Sequence, residues 1–122
     1  MKQEELSELE IHHLGMNYIG EILQKDGFEF LAINSKLKKH PQFICFKKGE
    51  PTLLVLVKTV LFPHDPDLYD SKLIEKFKKH AKQKEARVWF VGVGLSHAND
   101  VTKKLLKGDS YIIKSSGFKK IL

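Results

Sequence analysis

Apolar positions recur at helical spacing through Ile11, Leu14, Tyr18 and Ile22, and Ser7 stands three places before Glu10. A capping-box pair at the start and Gly27 at the end predict a helix with one apolar face. From Phe28 to Ile33 the chain is rich in aromatic and branched residues, which predicts a strand. A polar connection from 34 to 41 follows, carrying Lys36, Lys38, Lys39 and His40. The segments 42 to 47 and 52 to 62 read as a hairpin turning at Gly49 and Pro51. The second of these is apolar on both faces, as a central strand is, and Lys58 interrupts one of them.

Pro63 and Pro66 stop that strand. Asp70 or Ser71 then caps a second helix with a stripe of Leu73, Ile74, Phe77 and Ala81 and a lysine-rich opposite face. Val88 to Val93 predicts another strand. Asn99 or Asp100 would cap a short helix holding Val101, Leu105 and Leu106 and ending at Gly108, and 110 to 114 a last short strand before the tail. The order α-β-β-β-α-β-α-β predicts an α/β fold, one mixed sheet flanked by helices in a single domain over 1–122.

Composition narrows the classes. A chain of 122 residues with 42% hydrophobic and 30% charged residues is long enough to bury its own core. No stretch reaches the roughly 18 apolar residues of a membrane span. The acidic start, MKQEELSELE, lacks the pattern of a secretory signal, so a cytoplasmic protein without membrane contact is expected. The single cysteine, Cys45, excludes an internal disulfide, a four-cysteine iron–sulfur site and a cysteine zinc site, and its strand context reads as a buried thiol. The net charge of +6 rests on twenty lysines and one arginine against fifteen acids. Such a balance suits backbone phosphates better than base edges, which are read mostly by arginine. Lysine used for solubility is the plainer account.

The spacing carries a resemblance over about Gly15 to Ala86. A helix, Gly27, the strand 28 to 33, Asn34, the Pro41-Gln42 opening and Leu56-Val57-Lys58-Thr59 resemble the restriction-endonuclease-like, or PD-(D/E)XK, superfamily, near its small resolvase-related bacterial proteins. The resemblance implies an αβββαβ core. In that pattern an acid opens the second strand and a Glu-x-Lys segment lies in the third, but Gln42 and Leu56 stand at the two acidic positions here. Hydrolysis of a phosphodiester needs carboxylates to hold the activating cation. The expectation is therefore no enzyme, no metal and no cofactor: a binding or interaction module that kept the scaffold. Its partner is nucleic acid, held by backbone phosphates on Lys36, Lys38, Lys39 and Lys58, or another protein. The alternative is a nuclease with relocated carboxylates, for which Glu21 and Glu50 would have to converge near Lys58. The chain also resembles short bacterial proteins that carry the label of a sodium-translocating NADH-quinone reductase subunit. Such a subunit should bring a membrane anchor, cysteine ligands or a flavin domain, none of which this sequence shows.

Other candidate chemistry reads as structure. His64-Asp65-Pro66-Asp67 with Asp70 lacks the spacing and glycine of a calcium loop and fits a turn into a capped helix. His12 and His13 are adjacent, diverge by about 100° on a helix and cannot clamp one metal. His40, His80 and His97 have no local ligand pattern. Gly92-Val93-Gly94 lacks the third glycine of a phosphate-binding turn and reads as a strand end.

Overall fold

The computed structural model describes residues 4–37 and 39–122. Helix α1 (Glu8–Lys25) is followed by β1 (Glu29–Ile33), β2 (Phe43–Phe46), β3 (Leu53–Leu61), α2 (Ser71–Gln83), β4 (Arg87–His97) and β5 (Tyr111–Lys120). The strands form a single mixed sheet of five in the order β1-β2-β3-β4-β5. Only β3 and β4 run parallel, joined through α2; the other neighbours are antiparallel. The fold is α/β.

Each helix begins where its sequence signal placed it. Ser7 Oγ accepts from the Glu10 N–H at 3.1 Å while Glu10 Oε1 accepts from the Ser7 N–H at 3.1 Å. Asp70 Oδ1 accepts from the Lys72 N–H at 2.9 Å, closing the turn that the prolines begin. The core has two parts, one on each face of the sheet. Met16, Ile19 and Leu23 of α1 pack on Leu53, Val55 and Val57, whereas Ile74, Phe77 and Ala81 of α2 pack on Leu54 and Leu56. Side chains alternate along a strand, so a central strand feeding both faces must be apolar throughout.

Four expectations change. The buried face of α1 is His12, Gly15, Met16, Ile19 and Leu23, about one position round from the predicted stripe. The close approach of β3 forces that rotation: a Cβ on Gly15 would lie 1.7 Å from Thr59 Oγ1, so α1 turns its smallest residue to the sheet. No helix forms between 99 and 108. Asp100 Oδ1 takes the Thr102 N–H at 2.9 Å and Asp109 Oδ2 the Leu106 N–H at 3.0 Å, and so short a segment does not repay helix nucleation. The tail is strand, since β5 runs to Lys120 and pairs along β4. Gly92 and Gly94 lie inside β4 rather than at its end, because the loop from 62 to 70 crosses that face and a Cβ on Gly92 would meet the Pro66 carbonyl oxygen at 2.1 Å.

Candidate functional site

The sheet has a notch. β2 pairs with β3 only from Leu53 to Val55, while β3 continues to Leu61. The Gln42 N–H donates to the Val55 carbonyl at 3.1 Å, and the Phe62 N–H, beyond the other edge, to the Leu95 carbonyl at 2.8 Å. Backbone groups of successive residues point to opposite edges, so odd-numbered residues of β3 face β2 and even-numbered ones face β4. The Val57 N–H, the first beyond the paired stretch, donates to Gln42 Oε1 at 2.8 Å. The Val57 carbonyl and both backbone groups of Thr59 then face the place where β2 has ended.

A cavity of about 630 Å³ fills that place. The first turns of α1 give it Glu8, Ile11 and His12, the 34–42 connection gives Leu37, His40 and Gln42, β3 gives residues 56–61, and the entry to α2 gives Tyr69, Asp70, Leu73 and Ile74. Its floor is apolar, with Leu56 and Phe90 both buried. Two of its lining residues each hold a polar atom that is buried behind the cavity surface without a partner, His12 Nε2 and Thr59 Oγ1, the latter beside Gly15. His12 as a whole is only 8% exposed. Burial, aided by the nearby His13 and His40 charges, lowers its pKa below the ordinary value and favours the neutral imidazole.

Gln42 and Leu56, the two positions where the resembled pattern has acids, both line this cavity beside Lys58. Gln42 is 1% exposed and its amide is fully engaged: Oε1 holds Val57, while Nε2 donates to the Lys39 carbonyl at 3.1 Å and to His40 Nδ1 at 2.8 Å. The amide nitrogen only donates, which fixes His40 Nδ1 as an acceptor. A carboxylate could not make the same set. The Lys58 ammonium donates to the Leu68 carbonyl, tying the 62–70 loop over the strand end. Lys36 and Lys39 are exposed on the connection whose neighbours Leu37 and His40 line the cavity; Lys38 lies outside the described residues.

The carboxylates of the alternative reading do not meet. Glu50 is exposed in the β2–β3 turn, and Glu21 is exposed on α1. The five residue steps of strand from Leu53 to Lys58 alone put the turn ~16 Å from Lys58, and neither acid lines the cavity. Among the described residues no group of three or more His, Cys, Asp or Glu is placed to hold a metal ion. Cys45 is fully buried and its thiol is pushed up to about 11 by that burial, against a smaller opposing effect of Arg87, so it is a poor nucleophile. Among the described residues no helix is long and apolar enough to cross a membrane. The sequence weighed His12 only as half of a metal pair. Its neighbour Gly15, three residues on, was the available sign of a helix face pressed against the sheet.

Residues 9–121 match the family described as Domain of unknown function (DUF8840), and the chain belongs to it. No curated protein and no solved structure matches it.

Proposed function

We propose that this domain is a catalytically inactive member of the restriction-endonuclease-like fold that works as a binding module, with the cavity beside the open half of β3 as its site. One observation carries the reading. The two positions that would supply metal carboxylates, now Gln42 and Leu56, line a single cavity whose floor is apolar and whose Gln42 amide is engaged by the protein's own backbone and by His40. Such a site has lost the donors for a hard cation and gained the concave apolar form of a ligand pocket. The αβββαβ element order accords with it.

A second reading keeps nucleic acid as the ligand, because Lys36 and Lys39 are exposed on the connection that gives Leu37 and His40 to the cavity. Phosphates bound there would make affinity fall steeply with salt. Backbone NMR spectra recorded with duplex DNA, oligothymidylate and a pool of short peptides test the site. Movement of the Val57, Lys58 and Thr59 amides by any probe supports it, and shifts confined elsewhere overturn it. Anisotropy of labelled DNA at two salt concentrations, with and without Mn²⁺, tests the rest. Salt-sensitive binding favours the second reading, and Mn²⁺-dependent cleavage overturns the loss of hydrolysis.

A further inference from the structure

We infer that the occupant of the cavity is an extended polypeptide segment that adds to the open edge of β3 in the line of β2. The inference rests on the cavity being a binding site and names what it binds. The edge from Val57 to Leu61 presents the Val57 carbonyl and the Thr59 N–H and carbonyl to the cavity. Donor and acceptor so alternated on a strand edge match another polypeptide main chain. Gln42 Oε1 on the Val57 N–H, at 2.8 Å, already does there what a strand's carbonyl would do, which marks the position of the absent partner.

The edge spans about 13 Å, enough for a strand of roughly four residues at ~3.3 Å each. The walls suit its side chains, since Leu56 and Phe90 offer an apolar floor. The rim sets the charge. Lys36, Lys39 and Lys72 are exposed on the two segments that enter the lining, the 34–42 connection and the start of α2, and outnumber the two acids in that lining, Glu8 and Asp70. The segment is accordingly apolar at its centre and acidic at its ends. A nucleic acid strand fits less well, since the Lys58 ammonium in the wall is already bound to the Leu68 carbonyl.

Main-chain pairing tolerates sequence variation, so the test uses a pool of end-blocked heptapeptides with acidic ends and randomised apolar centres. Amide exchange and backbone shifts of the full chain are followed with that pool, with the same pool N-methylated along its main chain, with oligothymidylate and with decanoate. The plain pool is expected to protect the Thr59 amide at least ~10-fold from exchange, and N-methylation to abolish that protection. Thr59→Pro removes the outward N–H without touching the β4 ladder, as proline does on an edge, and is expected to weaken the pool ~10-fold. If that variant fails to fold, the N-methylated pool makes the same comparison on the native chain. Equal binding of plain and N-methylated pools overturns strand addition. Cavity shifts with oligothymidylate or decanoate alone overturn the polypeptide while leaving the binding site standing, and silence of the cavity with every probe overturns both.

Discussion

The two halves of β3 are one continuous strand with opposite surroundings. From Leu53 to Val57 every residue is buried with a helix on each face, and as far as Val55 a strand lies on each side. From Lys58 to Leu61 none is fully buried, β4 still pairs on one side, and the other side is cavity. The difference is set where β2 begins. Gln42 ends the antiparallel partner and substitutes its side chain for the next rung, so the same strand is core for one half and wall of a site for the other.

The strongest way to break the comparison is to truncate matched apolar side chains in the two halves. Leu53 is 0% exposed and packed in the α1-side core, so Leu53→Ala is expected to cost about 2–5 kcal/mol in chemical denaturation. Val60 is partly exposed at the cavity, and Val60→Ala should cost under about 1 kcal/mol because little new void is made. Equal losses would mean that the open half is as much core as the closed one.

Gln42 is where the comparison can be sharpened residue by residue. Gln42→Leu keeps an apolar stem of similar size but strands the buried Val57 N–H, which is expected to cost about 1–3 kcal/mol. The exchange readout is local: the Val57 amide should lose protection while the amide of Val55, which faces β2 within the paired stretch, keeps it. Loss of protection at both would show that Gln42 supports the whole hairpin, and the notch would not be its particular consequence.

Much of this was legible in the chain because it rests on local signals. The Ser7–Glu10 box, the Asp70 cap, the Gly49 turn and the doubly apolar 52–62 segment each gave its element directly. Near-neighbour chemistry was legible too: Asp65 and Asp70 are turn and cap residues, with Asp65 Oδ1 taking the Asp67 N–H at 2.9 Å. What escaped depends on partners distant in sequence. The extent of β5 follows from pairing with β4, which the Lys114 to Lys120 stretch does not announce. The face of α1 follows from Gly15 meeting Thr59, forty-four residues on. Lys58 was visible as an oddity, and its tie to Leu68 was not, because the loop between them has no period to read. The cavity was invisible for the same reason, since it is made by the place where a strand stops.

The smallest expected effect separates the halves by pH. In the open half His12 is held neutral: burial and the His13 and His40 charges lower its pKa below 6.5. The unfolded chain therefore binds a proton there that the folded one refuses, so stability is full above the mid-6s and declines as pH falls through 6.5 toward the folded value. One proton limits the slope to about 1.4 kcal/mol per pH unit. In the closed half Cys45 behaves in the opposite sense. Its folded pKa is raised from 9.0 to about 11, so its contribution is full below 9.0 and declines as pH rises toward 11. Urea midpoints from pH 5 to pH 10 should thus fall at both ends, with His12→Leu flattening only the acid limb and Cys45→Ala only the alkaline one. If His12→Leu leaves the acid limb unchanged, the imidazole is not shielded at the cavity wall, and the contrast between the halves is one of pairing alone.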